Sequence, residues 1–598
     1  MYALARLTRR LVASLVLLVL GIGAAPAQEA VPYEVEIVGV TDETLRGLLE
    51  QSSQLVELKD RPPESPARLR ARADADVERL GKTLRSQGYY DATVAAELDA
   101  DQRPVPVRLK VETGQVYTLE EFTTRFVGDH TVPAETMPTW QALGIARGQP
   151  ALATAILDAE SALVTHLQQH GYPLAKRAGH DAVIFRDRHA LEVVVEVDAG
   201  PQARFGTVRV AGLDRVEIAV VRRLIPWRTG EAYDLRKVQQ AHRALVADPL
   251  FETVAVTPAE TVNPDGHIDI AVDVTEADRR SIGAGVSYST DVGPGASVFW
   301  EHRNLFGEGE TLRLSLSGAL DEQVAAANYR DASLSDGRYT FLGDLTLANR
   351  QLEAYDERSL ALATALETSI GEHWKVRGGP AFELLSTEGE TDEEAQEFFL
   401  VGLPLGLSRD DTDDRLNPTR GSRLQFDVAP YAGVGTRYIN FLSASAAGSA
   451  YLGLDPGGRF VLAGRGKVGI VYGEPTEDLP ANKRFYAGGG GSIRGYEFQT
   501  VGPLDSDGDP TGGRSLIELS AELRVRVTET IGIVPFVDAG TVSDSEYPSL
   551  EEELQYAAGI GVRYYTAIGP LRADVAFPLN RRDIDDRFQF YVSIGQAF

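Results

Sequence analysis

From about Arg279 to Phe598, apolar and polar residues alternate with period two. Ile517, Leu519, Ala521, Leu523, Val525 and Val527 point one way; Glu518, Ser520, Glu522, Arg524 and Arg526 point the other. So regular a charged face needs water, and the opposite face needs apolar surroundings. A strand with lipid outside and a wet lumen inside satisfies both. Thr311 to Gly318 repeats the pattern, with Leu312, Leu314 and Leu316 set against Arg313, Ser315 and Ser317. Ser281 to Thr290 repeats it with Ile282, Ala284, Val286 and Tyr288, and the last strand offers Phe588, Phe590, Val592, Ile594 and Phe598. At about twenty residues per strand and connection, residues 279–598 predict an antiparallel transmembrane β-barrel of about 16 strands.

Before Arg279 the period changes. Short strand-like runs alternate with helical ones in the order β-α-α-β-β. Val35 to Val40 reads as a strand, Thr41 to Leu58 and a run from Asp74 to Gly88 as helices, and Tyr89 to Leu98 and Pro106 to Glu112 as strands. The order returns with a strand at Thr118 to Phe126, a helix at Ala151 to His170 and a strand at Leu191 to Val197. It returns again with Phe205 to Val210, a helix at Leu235 to Ala247 and Ile268 to Val274. Gly88 and Gly171 are 83 residues apart, Gly114 and Gly200 are 86 apart, so two landmarks share nearly one period. The expected domains are a signal peptide at 1–27, three α+β repeats at 31–114, 116–200 and 203–276, and the barrel at 279–598.

The signal peptide follows from Arg6, Arg9 and Arg10, the apolar run Leu11 to Ile22, and the Ala25-Pro26-Ala27 cleavage signature. The run is short of the roughly 20 residues a spanning helix needs. Composition then narrows the chemistry. The chain has 598 residues, no cysteine, nine histidines and a formal charge of −28. That charge argues against a nucleic-acid partner, whose phosphates need a basic footprint. No residue spacing suggests a metal or nucleotide site, so the expectation is no cofactor and no catalytic residues. The glycines 488–491 lack a following Lys-Ser/Thr, and Asp505-Ser506-Asp507-Gly508-Asp509 has its glycine at the wrong position for a calcium loop.

Four stretches in fixed order resemble the POTRA-containing outer-membrane assembly superfamily, which includes BamA, TamA and two-partner secretion transporters. They are Gly488 to Tyr496 with Ile493-Arg494-Gly495-Tyr496, Phe536-Val537-Asp538-Ala539-Gly540, Arg409 to Thr412 leading to Asn417 to Ser422, and Gly569 to Asp574 with Pro578-Leu579. Glu301 to Gly309 also resembles the family's R-N-L-F-G-x-G turn after the first strand. The three repeats resemble the TamA branch most.

The resemblance implies a non-enzymatic outer-membrane assembly factor with its repeats in the periplasm. It implies a long loop around Tyr486 to Gly513, folded into the lumen, that sets Arg494 against the acidic partners Asp538 and Glu522. It also implies a lateral seam between first and last strands, marked by Gly283, Gly285, Gly595 and Phe598, where autotransporter-like clients insert; Gly283 and Gly285 are expected to weaken packing in the first strand and Gly595 to let the last kink inward. Implied partners are unfolded outer-membrane protein clients, outer-membrane lipids and an inner-membrane-anchored TamB-like protein. The alternatives are a general BamA-like insertase, a two-partner secretion transporter, and, from another class, lipid transport or a solute pore.

Overall fold

The computed structural model describes residues 30–289, 293–388, 395–435, 437–549, 553–566, 569–594 and 596–598; the expected signal peptide, Thr290 and Gly595 lie outside the described residues. The chain divides into two units. One comprises the residues up to Arg209 with 227–239 and 257–271; the other comprises 210–226, 240–256 and everything from Val272 onward.

The first unit contains two complete repeats, with three α-helices between the first two strands of the first and one in the second, where the sequence predicts two in each. In the first, Tyr33–Val38 pairs in parallel with Val105–Glu112, which pairs antiparallel with Thr93–Leu98. The second has the same order, with Ala190–Asp198 between Thr118–Phe126 and Lys176–Phe185. In both, the last strand of the repeat is central and helices cover one face. Leu69, Leu80 and Leu84 from the helix Pro66–Ser86 pack on Val105, Val107 and Leu109. Leu163 and Leu167 from Ala153–Gln169 do the same over Val193, Val195 and Val197.

The helix expected at Thr41 to Leu58 is broken into Glu43–Ser52 and Gln54–Glu57. Buried Asp76 causes the break: it accepts Ser53 Oγ at 2.6 Å and the Gln54 and Leu55 N–H groups at 3.0 and 2.9 Å, so the carboxylate starts a new helix. The third repeat forms a sheet in the order Arg204–Ala211, His267–Glu276, Phe251–Pro258, and the last-named, an edge strand, is a run the alternation did not single out. Asp248 replaces the glycine turn of the other repeats. Its carboxylate accepts the Leu250 N–H at 3.0 Å, and burial pushes its pKa above the ordinary range.

The second unit holds an 18-segment sheet in strictly sequential order. Two pairs of segments are collinear. Trp374–Gly378 and Ala381–Glu388 share one register on Asp356–Ile370, and Gln396–Gly402 and Leu405–Asp410 share one register on Gly421–Val434. Pro380 and Pro404, which have no N–H to give a ladder, interrupt them side by side. Among the described residues, eighteen segments are therefore sixteen strands. Burial is inverted: Leu519 and Leu523 are exposed on the outside while Glu522 and Arg524 are buried inside. The turn at Arg303 to Gly309 follows the second strand, Gly293–Arg303, rather than the first, because Gly293–Arg303 already runs antiparallel to Arg280–Ser289. Asn304 Nδ2 donates to Arg215 O at 3.0 Å, Glu217 N–H to Gly307 O at 2.8 Å, and Arg223 Nη2 to Glu308 O at 2.8 Å, so this turn is gripped by residues 215–223.

Gly39 and Gly212 close the first strands of the first and third repeats, both at positive φ, and a Cβ at either would collide with a carbonyl, of Val111 and Val274 respectively. Gly148 also has positive φ but open space around it. Gly39→Ala is expected to destabilise the first repeat by about 2 kcal/mol or more, against about 1 kcal/mol for Gly148→Ala in the second. Amide hydrogen exchange across Tyr33–Val38 and Val105–Glu112 in the full chain measures the first, and exchange across Ala190–Asp198 the second.

Candidate functional site

The connection 473–514 between the strands Phe460–Tyr472 and Ser515–Arg526 is the long glycine-rich loop expected from the sequence. It turns back on itself through isolated bridges, Phe485 to Gly513 and Ala487 to Val501. Its tip, Ile493 to Tyr496, is buried. Gly495, at φ +102°, lets the backbone pass against Phe577 and Pro578, where a Cβ would have no room.

Arg494 is 1% exposed. Its Nε and Nη2 grip Asp538 in a fork, at 2.7 Å to Oδ2 and 2.9 Å to Oδ1, and its own backbone N–H reaches Oδ2 at 3.1 Å. Nη1 donates to Glu522 Oε1 at 2.7 Å and to Asp574 Oδ2 at 3.2 Å. Ser520 Oγ accepts from Nη2 and donates to Asp538 at 2.6 Å. The guanidinium lies 3.4 Å above the Phe536 ring, a desolvated cation–π contact of about 2 kcal/mol. The structure thus brings Arg494 together with Asp538 and Glu522.

The sequence reading did not assign the rest of the shell. Asp574 ion-pairs with Arg563 and, at 3.5 Å, with Arg572; Glu522 takes Arg524 at 3.0 Å. Arg572 Nη2 also donates to Gly490 O at 2.8 Å, holding the loop backbone. Tyr591 Oη accepts the Gly495 N–H at 3.0 Å and donates to Tyr496 O at 2.7 Å. Tyr496 Oη donates within 2.9 Å of both Tyr556 O and Asn580 Oδ1. The loop is pinned by five consecutive strands, ending with the last one, Gln589–Ile594. Inward charges at period two, as in Arg572 and Asp574, were the available signal. Bare glycines make the space: a Cβ at Gly540 would sit 2.6 Å from Ile493 Cδ1, and one at Gly561 would collide with Asp574 and Arg563.

The seam residues separate. Among the described residues no ladder joins Arg280–Ser289 to Gln589–Ile594, although the two strands lie alongside each other. Gly283 sits under the Phe299 ring of its paired neighbour, so its missing side chain makes room for packing and does not weaken it. Gly285 faces Ser297 Oγ, 3.1 Å from where a Cβ would be. Phe598 is not at the seam. It turns inward to Tyr451, with ring centroids 6.4 Å apart, and packs on Val461 and Ala463. The expected outward row along the last strand therefore stops before it. As for the acidic loop, Asp505 Oδ1 accepts the N–H groups of Asp507, Gly508 and Asp509, so this oxygen closes its own turn.

Removing the Arg494 side chain leaves three buried carboxylates short of their shared cation. Arg494→Ala is expected to destabilise the barrel by about 3–5 kcal/mol. Arg494→Lys, which keeps the charge but not the fork, should fall between. The temperature at which the folded barrel loses its fast gel mobility measures both, and an unchanged temperature for Arg494→Ala overturns the assignment.

Residues 304–598 match the Omp85 superfamily domain. The outer membrane protein assembly factor BamA of Nitratidesulfovibrio vulgaris is 26% identical over 541 residues, covering 86% of this chain and 66% of its own length. BamA of Neisseria meningitidis serogroup B is 24% identical over 468 residues, covering 68% of this chain and 58% of its own. The chain thus spans about two thirds or less of these curated relatives. The crystal structure of BamA from Haemophilus ducreyi lacking POTRA domains 1–3 superposes with a TM-score of 0.67 at 20% identity, covering 80% of this chain and 100% of that one, a likeness of fold. The barrel strands from Thr311 onward, the inverted burial and the inward arginine loop thus lie in the part of this chain that matches the Omp85 superfamily domain.

Proposed function

We propose that this protein helps insert and translocate β-barrel clients through the seam between its first and last strands. The observation that carries the reading is that, among the described residues, Arg280–Ser289 has a ladder with Gly293–Arg303 alone and Gln589–Ile594 with Gly569–Pro578 alone. An unpaired edge offers backbone N–H and C=O groups to an incoming strand, which can add by hydrogen bonding. The chain is an outer-membrane protein with its repeats on the periplasmic side. Energy for insertion comes from client folding, with outer-membrane lipids as the medium.

Three repeats favour the TamA branch, with autotransporter-like clients and a TamB-like inner-membrane-anchored partner. Gly283 and Gly285 belong to this proposal as seam residues, and Arg494, Gly495 and Tyr496, with Asp538 and Glu522, as the internal support beside the seam. The likeness to BamA keeps a general insertase as the second reading.

The native chain has no cysteine, so a disulfide introduced between the two seam strands would be unique. The locked, oxidised protein is expected to lose at least tenfold in client assembly and to recover on reduction; full activity while locked overturns the seam. Depletion followed by proteomics of outer-membrane fractions separates the branches. Loss of a few autotransporter-like barrels supports the narrower reading, collapse of all barrels the general insertase, and no change in any barrel rejects protein insertion.

A further inference from the structure

One wall of the barrel carries two aligned rows on its outer face, at the end away from the periplasm. The turn after Gly293–Arg303 marks the periplasmic end, where residues 215–223 grip it, so Thr311–Gly318 runs toward the cell exterior. Strand register then sets Leu316, Ala325, Leu347, Leu360, Leu384 and Phe399 side by side across six strands. All of these but Ala325 are large, exposed and lipid-facing. One step nearer the exterior, on the same face, the same register aligns Gln323, Asn349, Arg358, Ser386 and Glu397. The apolar field therefore ends on a polar line. Ala325 is short between Leu316 and Leu347, which notches the wall, and both rows line a groove of about 1200 Å³.

The charges along this line are unequal. Arg358 is exposed, and among the described residues it forms no ion pair, although carboxylates stand around it. Asp356 lies on its own strand and face, Glu388 is paired with Asp356 on the next strand, and Glu397 is one strand further. Neighbouring strands are about 4.8 Å apart, so the backbones at Arg358 and Glu397 are separated by about 10 Å. A phosphate on the guanidinium and an ammonium on a carboxylate, joined by a short link, span that distance with a charge-assisted hydrogen bond at each end. A headgroup bearing phosphates alone would satisfy Arg358 but set like charge against Asp356, Glu388 and Glu397. We propose that this groove binds a zwitterionic aminophospholipid of the outer leaflet. Arg358 holds its phosphate, the carboxylates hold its ammonium, and an acyl chain fills the notch at Ala325. The inference rests on the barrel's place in the outer membrane and is independent of client assembly.

The test uses the full chain in detergent micelles, titrated with dioleoyl phosphatidylethanolamine, dioleoyl phosphatidylglycerol or lipid A. Native mass spectrometry resolves which lipid is retained. Phosphatidylethanolamine is expected to bind about tenfold more tightly than either anionic lipid, and Arg358→Gln should weaken it by about the same factor. Glu388→Gln with Glu397→Gln should erase the preference over phosphatidylglycerol while phosphatidylglycerol stays bound, which a loss of structure would not produce. Ala325→Phe, which fills the notch, should weaken phosphatidylethanolamine without changing fast gel mobility, the check that each variant is folded. With a diazirine in the acyl chain, cross-links are expected on Thr311–Gly318, Glu322–Asp331 and Thr340–Gln351. Equal retention of the two phospholipids, tighter binding of lipid A, full binding by Arg358→Gln, or cross-links spread evenly round the barrel overturns the site. Lipid binding is read without a client, so its outcome is separate from that of the locked seam.

Discussion

A guanidinium that water does not reach must have its charge met by protein, and Arg494 meets this condition with three carboxylates from three strands. The desolvation of each ion is severe, and mutual attraction offsets it only when geometry is good and hydrogen bonds are complete. The fork on Asp538, the single bonds to Glu522 and Asp574, and the Phe536 ring supply that geometry. Much else follows from it. The loop must be long enough to bring Arg494 down, glycines must vacate the wall, and Glu522 and Asp574 must be held by further arginines where Arg494 does not reach.

The same inversion explains why composition says little here. A soluble protein of this hydrophobic content would bury its leucines, whereas this barrel exposes Leu519 and Leu523 and buries Glu522 and Arg524. The strands that carry the loop's partners lie at the end of the sheet. Those partners reach as far as Tyr591 on the last strand, so the loop rests on one of the two strands that border the unladdered gap. Moving that strand would disturb the backbone on both sides of Gly495.

Period-two alternation made the barrel legible, because lipid and water impose opposite demands on successive residues, and it yielded a strand total close to sixteen. Glycines at helix ends exposed the repeat period. Arg494, Asp538 and Glu522 came from motif order combined with the inward face of one strand. Other features left no such trace. Asp76 breaks a helix through contacts 22 and 23 residues away in sequence, which no local pattern records. Gly283 looked like a weak point because a glycine's lack of side chain says nothing about which ring fills the space. Phe598 looked like one more outward aromatic, since alternation describes a strand and does not say where it stops.

Glu522 is where these features meet. One of its oxygens takes Arg494 and the other takes Arg524, and Arg524 in turn reaches Phe598. The loop tip and the inward-turned chain end therefore share one carboxylate through two arginines. Arg494, Arg524, Arg563 and Arg572 face Glu522, Asp538 and Asp574, so guanidiniums outnumber carboxylates in this shell even though the whole chain is strongly acidic. If the shell served only to hold the loop, matched charges would do so at lower desolvation cost. The surplus cation falls on the side that holds Gln596 and Phe598, whose oxygens accept from Arg563 and Arg524 and so complete a shell that the loop alone leaves positive.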